Sequence, residues 1–142
     1  MNEENIYQHM PKHYLLCYND ACSQADTCLR RLAAQHGRPA DLIVQAVNPQ
    51  LNSGPSCRYY KPQNVVRMAY GMLHTYDSVL ATDIVPLRRA ITDSFGNGSY
   101  YLRRNGKRVI TPDEQQRINQ LFRDYGYPDG AVFDRYADEI EW

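Results

Sequence analysis

Cys17, Cys22, Cys28 and Cys57 are the side chains of this chain best suited to chemistry. Three stand close together as Cys17-x4-Cys22-x5-Cys28, and Cys57 follows after a longer gap. Thiolates are soft ligands, and a structural zinc takes four such donors in a tetrahedron. Cys17 and Cys22 bracket a polar turn at Asn19-Asp20, Cys28 is expected about a turn and a half into the next helix, and Cys57 returns from a distant loop. The spacing differs from the C-x2-C pair of common zinc sites. It parallels the C-x4-C-x2-C arrangement of plant-type iron–sulfur proteins with three residues added. Zinc is the expected cofactor and an iron–sulfur cluster the alternative, with His13 or His36 able to replace one cysteine. Two other readings use the same residues. Free cysteines are often ordinary core residues, and Cys28 falls on the apolar face of its helix. A redox or disulfide role is the remaining one. A nucleophilic cysteine would need a neighbouring base, and nothing in the sequence shows one at hand.

A second group is cationic. Asn105-Gly106 is the strongest short-range sign of a two-residue primed turn, so Tyr100 to Ile110 is expected as a hairpin within 99–110. That register sets Arg104 opposite Lys107 and Arg103 opposite Arg108, and like charges across a ladder cost about 0.2–1 kcal/mol per pair. An anionic partner would relieve the conflict, and a two-stranded ribbon fits a DNA major groove. The expected order, helix 63–80, helix 86–95, ribbon 99–110, is that of a helix-turn-helix followed by a wing. Arg88, Arg89 and Thr92 would then face phosphates or base edges. The candidate nucleic-acid contacts are Arg88, Arg89, Arg103, Arg104, Lys107 and Arg108, with Tyr100 and Tyr101 stacking on bases or packing on the core. The plainer alternative is a solvated tip whose cations deter edge pairing.

The elements that must position these groups follow from pattern. A helix from about Ser23 to Gln35 would place Ala25, Cys28, Leu29, Leu32 and Ala33 on one face, with Gly37 and Pro39 closing it. Pro11 to Asp20 reads as irregular or short strand, Leu42 to Val47 as a strand or a short helical piece, and 48–56 as loop. From Gln63 to Leu80 the residues Val65, Ala69, Met72, Leu73, Tyr76 and Val79 form a helical stripe, with His74 on the opposite side near Arg67. Pro86 suits a first helical turn, followed by Leu87, Ala90, Ile91 and Phe95 before Gly96 stops the helix. Thr111-Pro112-Asp113-Glu114 is a capping box, and Ile118, Leu121, Phe122 and Tyr125 line the helix that Gly126 ends. The fold class expected is α+β: a predominantly helical single domain over 1–142, with a cysteine-stapled lobe at 1–60 and a helical core with one hairpin at 61–142.

Formal charge is zero but uneven. Residues 57–123 hold eleven Lys and Arg against five Asp and Glu, whereas residues 124–142 hold one Arg against six acids. The twelve tyrosines need partners for their hydroxyls, which points to half-buried positions at the core edge. The start Met1-Asn2-Glu3-Glu4-Asn5 is unlike an export signal, and no apolar run reaches the ~20 residues that span a bilayer. A cytoplasmic location in a bacterium is expected. No glycine-rich phosphate loop, H-E-x-x-H or G-x-S-x-G occurs, so catalysis has no support in the sequence.

The segment Cys17-Tyr-Asn-Asp-Ala-Cys22 through Cys28-Leu-Arg30, with Phe95-Gly96, Tyr100-Tyr101, Arg104-Asn-Gly-Lys-Arg108 and Gln115-Gln116-Arg-Ile118, resembles a family of small uncharacterised bacterial proteins. The family is a domain of unknown function, and the likeness covers most of the chain. It implies no activity, cofactor or catalytic residue. The functional expectation is a metal-stapled regulatory protein associated with nucleic acid. The alternatives are a protein–protein adaptor with a tyrosine-rich surface at Tyr59, Tyr60, Tyr70 and Tyr127, and a small iron–sulfur redox protein.

Overall fold

The computed structural model describes residues 6–37 and 41–142. The acidic start at 1–5 and Pro39, read above as a helix terminator, lie outside them. Helix α1 is Leu29–His36, strand β1 Val65–Tyr70, helix α2 Ala81–Phe95, helix α3 Asn97–Arg104, helix α4 Pro112–Asp124 and strand β2 Arg135–Ile140. Strands β1 and β2 form a two-stranded antiparallel sheet. The class is α+β with a helical majority. The chain divides into two compact units, Met1–Val65 with Ile140–Trp142, and Val66–Glu139.

In the first unit, α1 begins six residues later than its apolar spacing suggests. Cys28 is extended (φ −81°, ψ 119°) and bridges Pro62, while the Leu29 amide donates to the Lys61 carbonyl at 2.6 Å. That pairing holds residue 28 out of the helix, so Cys28 is its N-cap and not an interior residue. Leu29 and Ala33, one turn apart, bury with Tyr7, Leu16 and Ile140. Leu16 also bridges Ala46 in parallel, so 11–20 is irregular and 42–47 is not helical. Leu42 and Ile43 are fully exposed, whereas Val47 is buried. Gly54–Ser56 forms a single 3-10 turn that ends at Cys57.

The second unit corrects two expectations. Residues 63–80 are not a helix: Val65 to Tyr70 is β1, followed by turns. Gly71 ends the strand at φ +83°, its carbonyl accepting from the Asp134 amide, and the Asp134 carboxylate takes the Leu73 and His74 amides at 2.8 and 3.0 Å. A sheet partner and a carboxylate cap override the helical stripe. His74 lies in that turn, exposed beside Asp77.

Nor is 99–110 a hairpin. Asn97 to Arg104 is helix α3, and Gly106 (φ +74°) follows as its terminator, with the Lys107 and Arg108 amides returning to the Leu102 carbonyl. The Asn-Gly pair supplies the same left-handed residue to a helix end that a primed turn would have used. Arg104 and Lys107 therefore do not face across a ladder, nor do Arg103 and Arg108, and the winged order is absent. Ile110 makes one antiparallel bridge to Ala69.

Helix α4 follows its sequence signature. Thr111 caps it, with its hydroxyl accepting from the Glu114 amide, and Ile118 and Phe122 are buried. They pack with Leu87 and Ile91 of α2, Tyr100 of α3, Ala69 of β1 and Ile110. Helix α2 starts five residues before Pro86, which sits inside it, and Gly96 (φ +84°) ends it, its amide bonded to the Thr92 carbonyl. No described helix is long and apolar enough to cross a membrane.

Candidate metal centre

Cys17, Cys22, Cys28 and Cys57 line one small cavity of the first unit, together with Gln24, Arg30, Arg31, Val47 and Tyr59 among others. All four are free thiols of intermediate exposure. None is the fully buried thiol of an ordinary core. Each comes from a different local setting. Cys17 lies on the irregular stretch, Cys22 in the following turn, Cys28 at the N-cap of α1 and Cys57 at the end of the 3-10 turn. Sharing a cavity is a weaker condition than convergence. Among the described residues no three His, Cys, Asp or Glu side chains are grouped to hold an ion. Neither His13 nor His36 lines the cavity.

The backbone around the cysteines is tied together. The Gly54 amide donates to the Cys22 sulfur at 3.3 Å, and the Cys57 amide to the Gly54 carbonyl at 3.1 Å. Gly54 adopts φ +68°, a conformation suited to glycine. Arg30 is the central strut. Its Nε donates to the Tyr59 carbonyl at 2.8 Å and its Nη1 to the Leu15 carbonyl at 3.0 Å, while its own carbonyl accepts from the Cys17 amide. One residue thus fastens the segments carrying Cys17, Cys28 and Cys57. The guanidinium also lies 5.0 Å from the Tyr14 ring centroid. Burial raises the pKa of Tyr14, Arg30 opposes the rise, and Cys28 adds to it. Arg31 also lines the cavity and pairs with Asp20 at 3.1 Å.

Two observations bear on what the cavity suits. Gln24 lines it and its buried Oε1 has no hydrogen-bond partner. A buried acceptor of this kind calls for a donor or a cation. The space is about 20 Å³, room for one water-sized body. Four thiols, the Gln24 side chain and the Arg30 and Arg31 side chains thus line one small space.

The basic residues fare unequally. Arg103 is 9% exposed, bonds Glu114 through Nε and Nη2, also donates to Ser99, and stacks 4.8 Å from the Phe95 centroid. It is a structural residue and leaves the set of anion contacts. Arg88 and Arg89 line an open cleft with Val85, Thr92, Asp93, Asn97 and Tyr101. Arg104 is half-exposed and donates to the Asn105 side chain, and Lys107 and Arg108 are exposed. The two tyrosines part company: Tyr100 is buried with its hydroxyl 3.1 Å from that of Tyr76, whereas Tyr101 is 52% exposed. The adaptor surface is divided, with Tyr59 and Tyr60 in one unit and Tyr70 and Tyr127 in the other. Sequence reasoning missed Arg30, Gln24 and Gly54. Only the Gly54-Pro55 turn signal hints at any of them.

A mixed α+β chain with four cysteines on one cavity defines a class by architecture alone. The chain belongs to a family described as a family of unknown function (DUF6078), whose model matches residues 1–142. No curated protein and no solved structure matches the chain.

Proposed function

We propose that this chain is a metal-stapled regulatory protein of the cytoplasm, associated with nucleic acid, in which Cys17, Cys22, Cys28 and Cys57 hold one zinc ion. The observation that supports it is the shared cavity: four thiols separated by as many as forty positions in sequence line the same small space. Binding requires the side chains to turn inward, and the segments bearing three of them are already fastened by Arg30. Four protein ligands close a zinc shell, so the ion serves structure and leaves no position for substrate. The cavity volume favours a single ion over an iron–sulfur cluster. Free thiols fit a reducing compartment. The nucleic-acid part of the reading rests on Arg88, Arg89, Arg104, Lys107 and Arg108, none of which pairs with a carboxylate among the described residues.

Cobalt substitution tests the centre. Protein purified under reducing conditions, stripped and titrated with Co(II), should develop the intense visible bands of tetrahedral thiolate coordination, saturating at one ion per chain. Bands that fail to appear, or the visible absorbance of a cluster in protein purified without oxygen, would reject the zinc assignment.

A further inference from the structure

We infer that the cleft formed by α2 and the start of α3 takes one nucleotide of a single-stranded nucleic acid, its phosphate on Arg88 and Arg89 and its base on Tyr101. The inference rests on the nucleic-acid reading above and names the strand form and the contact site. Val85, Arg88, Arg89 and Thr92 recur at the i, i+3, i+4, i+7 spacing of one helical face, away from buried Leu87 and Ile91. Asn97 and Tyr101, one turn apart on α3, complete the cleft, whose volume is about 330 Å³. That is at the small end of ligand-site volumes, suited to a single nucleotide unit.

The chemistry of the lining matches such a unit. Asp93 also lines the cleft and forms an ion pair with neither arginine, so both guanidiniums keep their forks for a phosphate. The Thr92 hydroxyl donates to the Arg88 carbonyl at 2.8 Å and is held at the cleft wall. Tyr101 stands edge-on to Tyr100, 5.2 Å between centroids at 70°, and Tyr100 is anchored in the core. The Tyr101 ring is therefore braced while half its surface stays open to a base. Base–aromatic stacking tolerates any sequence because every base has a π-face. The Asp93 carboxylate would repel a second phosphate and accept from an exocyclic amine. Shape separates single strand from duplex. A recognition helix enters a groove as a ridge. These residues line a concavity instead, and the ribbon that could have reached a major groove is a helix.

Fluorescence anisotropy of the full chain with a short labelled oligothymidylate and a duplex of equal length, at low and rising salt, tests the inference. The single strand should bind more tightly than the duplex. Arg88→Ala with Arg89→Ala should flatten the log K against log salt slope by about 0.7, the share of one phosphate on a single strand. Tyr101→Ala should weaken binding about ten-fold while Tyr101→Phe keeps it, because stacking needs the ring and not the hydroxyl. Circular dichroism of each variant controls for folding. Binding that survives these changes but is lost in Lys107→Ala with Arg108→Ala, or that prefers duplex, would overturn the inference while leaving nucleic-acid association intact. No binding of either form by the wild-type chain would remove the nucleic-acid reading and the inference with it.

Discussion

The Arg30 guanidinium reaches the carbonyl of Tyr59 at 2.8 Å, joining the helix that follows Cys28 to the loop that follows Cys57. The two cysteines are far apart in sequence, and this contact brings their segments together without any bond between the sulfurs. It also supplies positive charge beside the thiols. Segments that the sequence spacing alone would leave dispersed are thereby tied together in the first unit.

Replacing Arg30 should loosen that unit. Arg30→Met removes two hydrogen bonds from a charged donor and leaves the Leu15 and Tyr59 carbonyls without it, a loss of about 1–3 kcal/mol. Arg30→Lys cannot form the fork and should recover only part. Chemical denaturation measures the stability. Competition with a chromophoric chelator should show zinc leaving both variants more readily than wild type.

Gly71→Ala should destabilise the second unit. The residue sits at φ +83°, and an added Cβ would lie 2.5 Å from the Asp134 carboxylate that caps the turn. Left-handed strain alone costs about 1–2 kcal/mol, and the clash adds to it by displacing the cap. A thermal melt of the variant should shift down by several degrees. Gly98→Ala, where a Cβ meets nothing within 4 Å, is the control and should leave stability nearly unchanged.

The Arg103–Glu114 pair is enclosed, with the side chains 11% and 16% exposed. Arg103→Ala leaves a partly buried carboxylate without its partner and should cost about 3 kcal/mol. Adding Glu114→Ala should cost little further, because the stranded charge is then gone. A double-mutant cycle by denaturant titration reads the coupling.

Tyr70 donates to the Glu139 carboxylate at 2.6 Å, and burial together with that bond pushes its pKa up to about 12. The unfolded chain gives up the same proton near the ordinary value of about 10. Its contribution to stability is therefore complete below pH 10 and declines as pH rises from there to about 12. In melts across that range Tyr70→Phe should show a shallower decline than wild type. Equal slopes would count against the assignment.

The parts legible in the sequence were those fixed locally. The Thr111 cap, the stripe Ile118, Phe122 and the stops at Gly96 and Gly126 depend on neighbours within a turn or two, and the helices they bound are present. The misread segments depended on distant partners. Val65 to Tyr70 carries an apolar spacing compatible with a helix, yet β2, some seventy positions later, claims it as a strand. Asn105-Gly106 announced a left-handed residue correctly, but local pattern could not say whether a strand or a helix preceded it. The cysteines were identifiable by type. The strut that ties their segments was not, because Arg30 acts through backbone carbonyls of Leu15 and Tyr59 that carry no residue signature.

The metal content of the purified chain is the most direct test of the centre. Elemental analysis of protein prepared under reducing conditions should find one zinc per chain, falling well below that in Cys17→Ser and in Cys57→Ser. Wild-type protein that is folded, fully reduced and free of bound metal would contradict the account, as would a Cys57→Ser variant that keeps the full complement.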